Sequence, residues 1–239
     1  MFRVLRVAGA LGLFLGALGA QEDPLAWLPL RVGSRWVYEL ESKSGNRQSP
    51  HVERWTTEES ITAAVVIPEG LVVLREVNRK SNAPEQRTAR VLGLDGQVRD
   101  VQPGENGGYL VTRQREPYLV RGNCVYIIDN GFDRQSGQLR EDYRKYLAEG
   151  AVSPDFCFPL EVGREWGNSD IPWRVEPASN DRLPSLPKYP GAVRIFSGHF
   201  GSGGLKDVWF QKGVGVVREY YTHNGSYDEY TKTLLSFSR

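Results

Sequence analysis

The stretch 214–237 constrains the fold more than any other part of this sequence. Two β-branched and aromatic runs, 214–222 and 227–237, flank His223-Asn224-Gly225-Ser226. An Asn-Gly pair supplies the positive φ angles of a tight two-residue turn, so the two runs are read as an antiparallel hairpin. With Asn224-Gly225 as the turn, Val214 faces Leu235, Val216 faces Thr233 and Tyr220 faces Glu229. Val214, Val216, Leu235 and Phe237 then share one face near the base, and Thr222, Tyr227 and Glu229 occupy it near the tip. The hairpin is expected to be buried at its base and exposed at its tip.

The same period recurs upstream. Trp36, Tyr38 and Leu40 alternate with Val37, Glu39 and Glu41, and the β-branched runs 61–67 and 71–77 are split by Pro68-Glu69-Gly70. Leu94-Asp95-Gly96-Gln97 reads as a further hairpin turn and Asn106-Gly107-Gly108 as another. One segment has helical spacing instead: Leu139, Tyr143, Tyr146 and Leu147 fall on one face, with Gly150 placed to end the helix. Five prolines within 172–190 argue for an ordered loop there, since proline cannot donate to a sheet ladder. Pro184, Pro187 and Pro190 also have the spacing of a polyproline II ligand. The expected fold is mainly β (α+β), a single antiparallel, strongly curved sheet, half-barrel or sandwich, with one short amphipathic helix. Its 40% apolar and 25% charged residues over 239 positions suit an ordinary globular core.

Residues 1–20 are expected to be an export signal, leaving 21–239 as one β-rich domain. Arg3 and Arg6 precede an apolar run, 7–18, too short to span a bilayer, and small residues suited to cleavage follow at 17–20. No Cys lies beside that point, which favours a released or periplasmic protein over a lipid-anchored one. Removing the signal lowers the formal net charge from +1 to −1, so nothing draws the chain to nucleic acid or an anionic membrane, and no transmembrane segment is expected in the mature chain. In an oxidising compartment Cys124 and Cys157 are read as a disulfide, contributing about 3–4 kcal/mol in the chain-entropy model. Two buried free thiols are the alternative.

Leu28-Pro29-Leu30-Arg31-Val32-Gly33-Ser34-Arg35-Trp36 recurs as Phe158-Pro159-Leu160-Glu161-Val162-Gly163-Arg164-Glu165-Trp166. Pro, Leu, Val, Gly and Trp keep their spacing, as a bend entered through Pro, turned at Gly and anchored by a Trp that opens a strand would require. With Trp209-Phe210-Gln211-Lys212-Gly213-Val214-Gly215-Val216-Val217, this element resembles a broad group of uncharacterised exported bacterial β-rich proteins and lipoproteins. In that group a P-L-x-V-G-x-x-W opening and a G-V-G-[LV]-V strand recur. The resemblance implies an exported, β-rich, non-catalytic protein and carries over no catalytic residues. The sequence departs from the group in lacking the lipid-anchor Cys and in having the Cys pair.

Catalytic patterns are sparse. His51, His199 and His223 lie at no metal-ligand spacing. The run 198–204 brings His199 and Ser202 among glycines but lacks the order of a nucleophile elbow or phosphate loop. Asp129 to Asp133 resembles a calcium loop, yet Arg134 and Arg140 occupy its required Gly and Glu positions. Adjacent Glu58 and Glu59 point to opposite faces of a strand. No catalytic, cofactor-binding or metal-ligating residue is therefore expected. Trp36, Trp166, Trp209, Tyr221 and Tyr230 are the candidate contacts for a ligand or partner. The expected function is an exported, non-enzymatic protein, periplasmic or extracellular, that binds an apolar or amphipathic partner, whether protein, lipid or glycan, in the cell envelope. An interaction module using the 214–237 hairpin and the Pro-rich loop is the alternative, and a hydrolase built on His199 and Ser202 ranks third.

Overall fold

The alternating runs become long antiparallel strands. The computed structural model describes residues 23–83, 89–92, 98–101, 109–128, 131–133, 136, 138–148, 153–168, 171–177, 188–199 and 203–239. A one-turn helix α1 (Pro24–Trp27) leads into β1 (Arg35–Asn46), β2 (Ser49–Ile67) and β3 (Gly70–Ser81). A separate ribbon of β4 (Ala89–Leu92) and β5 (Val98–Val101) follows, and then β6 (Val111–Arg121) and β7 (Cys124–Ile127). A second ribbon, β8 (Phe132–Asp133) with β9 (Gln138–Leu139), precedes helix α2 (Tyr143–Ala148). The remainder is β10 (Phe156–Cys157), β11 (Glu165–Gly167), β12 (Pro172–Glu176), β13 (Val193–His199), β14 (Gly204–Gln211), β15 (Gly215–His223) and β16 (Glu229–Ser238).

Twelve strands form one antiparallel sheet in the order β10-β7-β6-β3-β2-β1-β16-β15-β14-β13-β12-β11. Followed along the chain, each of these strands bonds to the one before it except β11, and β16 returns to bond β1. The sheet therefore curls almost into a barrel, which hides nearly all of its edges. Its seam lies between the very short β10 and β11, where side chains take over from the ladder. Phe156 meets the rings of Phe210 at 4.8 Å and Trp173 at 6.2 Å. The Trp166 indole N–H donates to the Asp155 carbonyl at 3.3 Å. Cys124 and Cys157, directly opposed on β7 and β10, form a disulfide that fixes the seam strand to its neighbour. Inward side chains from all around the curl, among them Trp36, Ile61, Val73, Val125, Ile195, Phe210 and Leu234, make one buried cluster.

The repeated Pro-Leu-x-Val-Gly-x-x-Trp element opens β1 and β11 in the same way. Gly33 and Gly163 have φ of +93° and +90°, left-handed values at which a side chain would be strained. Gly33 N–H donates to the Ile61 carbonyl and Ile61 N–H to the Ser34 carbonyl. In the second copy Gly163 N–H donates to the Val175 carbonyl and Val175 N–H to the Arg164 carbonyl. Leu30 and Leu160 are buried, whereas Val32 and Val162 are exposed. The sheet is thus two six-strand meanders, each begun by the same bend.

The final hairpin forms, but its register is two residues from the expected one. Tyr221 opposes Tyr230 and Thr222 opposes Glu229, and His223 N–H donates to the Asp228 carbonyl, leaving 224–227 as the loop. The His223 ring explains the wider loop: Nδ1 accepts from the Gly225 and Ser226 N–H groups at 3.0 and 2.9 Å. The Ser226 hydroxyl then donates to the Asp228 carboxylate. A shift of two preserves the facing at the tip, where Asn224, Gly225 and Ser226 are exposed. Nearer the base, bulges reverse it. Val37 pairs with Ser236 and Tyr38 with Leu234, so Leu235 is the extra residue and stands 50% exposed while Leu234 is buried. Trp209 and Phe210 pair with Arg218 and Val216, which places the intervening Val217 in the core.

Two other expectations change. Leu139 belongs to β9, opposite Phe132, and the helix begins only at Tyr143; the ribbon's backbone bonds capture Leu139 first. Tyr143 Oη and Arg144 Nε both bond the Glu69 carboxylate at 2.9 Å, tying the helix to the β2–β3 turn. The loop expected over 172–190 starts later, because Pro172 to Glu176 form β12. Pro172 is tolerated as the first residue of that strand, where it pairs with Gly167. The export signal at 1–20, the turns at 94–97 and 106–108, Gly150, Pro184 and Pro187 lie outside the described residues.

Leu234→Ala is expected to cost about 2–5 kcal/mol in urea unfolding, as a truncated core leucine does. Leu235→Ser should stay within about 0.5 kcal/mol of the parent; equal losses would contradict the bulge. Replacing both Cys124 and Cys157 by Ser should lower stability by about 3–4 kcal/mol, measured as the fall in extrapolated unfolding free energy.

Candidate functional site

Strand alternation would fill this interior with apolar side chains throughout, yet one level of it is charged. On β3, Arg75 sits between Val73 and Val77 in the inward set; on β2, Glu59 sits between Thr57 and Ile61. Its neighbour Glu58 faces the other way and meets Arg35. Glu116 of β6 is directly opposite Arg75, and Lys232 of β16 is directly opposite Glu219 of β15. Lys206 comes from β14, and Asp155 stands just before β10.

Together these seven groups, four acids and three cations, make an interior ring. Arg75 binds Glu116 through Nε at 3.1 Å and through Nη2, and reaches Glu59 through Nη1 at 2.8 Å. Lys232 pairs with the other oxygen of Glu59 and lies 4.2 Å from the centre of the Tyr38 ring. Lys206 pairs with Glu219 at 3.0 Å, and Tyr230 Oη donates to the same carboxylate. Asp155 completes the circuit between Lys206 and Arg75, feeling the field of both.

The fields decide the protonation states. Burial pushes the Glu59 carboxyl up, but the Arg75 and Lys232 charges outweigh it and hold the group below its usual range. Burial likewise opposes ionisation of Glu219, and Lys206, Lys232 and the Tyr230 hydrogen bond bring it down to about 2. Asp155 differs: burial dominates and lifts it to about 6 despite Lys206 and Arg75. Burial also raises Tyr38 and Tyr118 well above the ordinary phenol value, so both remain hydrogen-bond donors.

The ring surrounds a cavity of about 420 Å³. Its lining is mixed: Trp36, Tyr38, Leu40 and Ser42 of β1 face it, and by register Glu59 stands opposite Trp36 and Thr57 opposite Tyr38. Leu28, Leu30, Ile127, Phe156 and Val216 add apolar surface, and Thr57, Arg79 and Tyr230 add polar groups. Access is not sealed, since the side chains of Arg75 and Lys206 keep 21% and 26% of their surface exposed. Burying seven charges carries a desolvation cost that an all-apolar filling would avoid. That choice marks the interior as a candidate site.

Of the aromatic candidates, Trp36 and Tyr230 line the cavity. Tyr221 stacks on Tyr230 at 5.3 Å, so it supports the wall. Trp166 stacks on Trp173 at the seam, and Trp209 is fully buried in the core. His51 lies exposed beside Glu53 at 3.1 Å, and His223 organises the hairpin loop. Ser202 and the side chain of His199 lie outside the described residues. Among the described residues no three His, Cys, Asp or Glu side chains cluster as a metal site. The charged ring was missed by motif reading, although charges at apolar strand positions, as in Val73-Leu74-Arg75-Glu76-Val77, are its visible signal.

Because Asp155 titrates near 6 in the fold and near 4 when unfolded, its ionisation costs stability as pH rises from about 4 to about 6. Asp155→Asn is therefore expected to be more stable than the parent at pH 8, with the gain vanishing below about pH 4. A gain independent of pH in thermal unfolding would show that the carboxyl is not strained in this way.

No protein-family model and no curated protein matches the chain by sequence. Among solved structures, it is similar to a Bacteroides fragilis NCTC 9343 chain classed as an exported protein with a YmcC-like fold. The TM-score is 0.43 at 8% identity, over 87% of this chain and 97% of that one. It is also similar to a Parabacteroides distasonis ATCC 8503 chain classed as a lipoprotein, with TM-score 0.40 at 8% identity, over 87% of this chain and 96% of that one. Likenesses this remote carry no conclusion about activity or ligand.

Proposed function

We propose that this protein is exported and acts without catalysis, holding a small amphipathic molecule inside the nearly closed sheet. The observation that carries this reading is the cavity of about 420 Å³, lined by apolar side chains such as Trp36, Leu40, Phe156 and Val216 together with polar ones such as Thr57, Arg79 and Tyr230. Its size falls within the range of small-molecule sites, and its mixed lining suits a ligand with an apolar body and a polar head. The ring supports binding over catalysis, since Glu59, Glu116 and Glu219 are each engaged by a cation. The export-type N-terminus and the disulfide support an oxidising compartment. No helix among the described residues is long and apolar enough to cross a membrane.

Calorimetric titration with single-chain C8–C12 amphiphiles below their micelle concentrations tests the reading. One molecule should bind per chain, and Leu40→Trp, which projects bulk into the cavity, should weaken it by about tenfold or more while leaving the unfolding midpoint within a few degrees. Binding of many molecules per chain, or an unchanged affinity in Leu40→Trp, would place the contact outside the cavity.

A further inference from the structure

Two side chains that line the cavity are left out of the ring. Thr57 on β2 and Arg79 on β3 are directly opposed in register, and both line the cavity. Thr57 is 1% exposed, and its hydroxyl has no hydrogen-bond partner. Arg79 Nε is likewise buried and unpartnered. Unmade hydrogen bonds of this kind are costly, the more so for a cation. Arg79 also takes no part in the ion pairs of the ring, where Glu59, Glu116 and Glu219 are satisfied by Arg75, Lys206 and Lys232. Its positive charge reaches the hydroxyl of Tyr230, itself committed to Glu219. Among the described residues the cavity therefore presents a spare cation and a spare hydroxyl beside each other, in register with Tyr38 on β1.

We infer that Arg79 and Thr57 form an oxyanion subsite, and that the molecule held in the cavity carries a carboxylate or phosphate head. This rests on the amphipathic-ligand reading and specifies its polar part. A planar guanidinium matches such a group through two donors, and the threonine hydroxyl adds a third. The acids nearest the subsite are already paired, so an incoming anion meets Arg79 without displacing an internal partner.

The test titrates the full chain with decanoate, decyl phosphate, decanol, acetate and inorganic phosphate. Decanoate and decyl phosphate are expected to bind one per chain, at least about tenfold tighter than decanol, as a charge-assisted hydrogen bond warrants. Arg79→Gln should erase that preference, bringing decanoate and decyl phosphate to within about twofold of decanol measured on the same variant. Arg79→Lys should retain part of it, Thr57→Val should weaken both anions a few-fold, and Thr57→Ser should not. Equal affinity of the parent chain for decanoate and decanol, or an unaltered preference in Arg79→Gln with an unchanged unfolding midpoint, overturns the subsite while leaving the cavity reading intact. If acetate or inorganic phosphate binds as tightly as its decyl counterpart and depends on Arg79, the subsite stands and the amphipathic reading falls. Silence from all five probes overturns both.

Discussion

The return of β16 to β1 determines what the inside of this protein can be. A twelve-stranded sheet that stayed open would expose two edges and a broad inner face to water. Curling it brings inward side chains from strands far apart in sequence to one space, so Tyr38, Arg75, Glu219 and Phe156 come to line one cavity. Right-handed twist supplies part of the curl, and the bulges at Thr62, Val217 and Leu235 add local bends. What the ladder does not close, at β10 and β11, aromatic rings and the Cys124–Cys157 bond cover.

Within that enclosure the ion-paired members of the ring depend on one another. Cations hold Glu59 and Glu219 ionised against the burial that opposes it, and Lys206 stays charged because Glu219 and Asp155 offset its own desolvation. Removing one of the paired groups Glu59, Arg75, Lys206, Glu219 or Lys232 leaves its partner unpaired in the interior, which costs far more than the pair contributes. Such a ring gives little net stability, but it keeps part of the interior polar and resistant to collapse. Aromatic faces assist: Tyr38 lies against Lys232 and Tyr118 against Arg75.

How much of this could be read in the sequence depends on the range of the interaction concerned. Period-2 alternation gave the strands and the curved antiparallel sheet, since each residue's facing is set by its neighbours. The Pro-Leu-x-Val-Gly-x-x-Trp element was legible because a positive φ leaves a glycine in the sequence, and both copies turn at that glycine. Leu235, expected on the buried face, is half exposed because a bulge is decided by the partner strand, which no local pattern records. The hairpin register slipped for a related reason: His223 accepts two backbone bonds and outcompetes the tighter Asn-Gly turn. The site was least legible of all. Its members are spread from Glu59 to Lys232 and become neighbours only when β16 meets β1, so no spacing motif links them.

The distribution of ring charges between the two meanders suggests what besides a ligand the ring serves. Glu59, Arg75, Glu116 and Asp155 come from the first meander, which is the acid-rich one; Lys206, Glu219 and Lys232 come from the second, which is base-rich. Lys232 meets Glu59 across the strands that join the meanders, and Asp155, just before the seam strand β10, feels the field of Lys206. Both boundaries between the repeats are thus spanned by opposite charges. A one-residue slip at the β1–β16 junction would turn Lys232 away from Glu59 and leave buried charge unpaired, a penalty that selects one register. The halves also differ in reach, with β1 and β2 running 12 and 19 residues against 3 and 5 for β11 and β12. The longer first meander supplies Thr57 and Arg79, polar lining groups that stand outside the ring's ion pairs. Complementary charge keeps the two halves in register around the cavity.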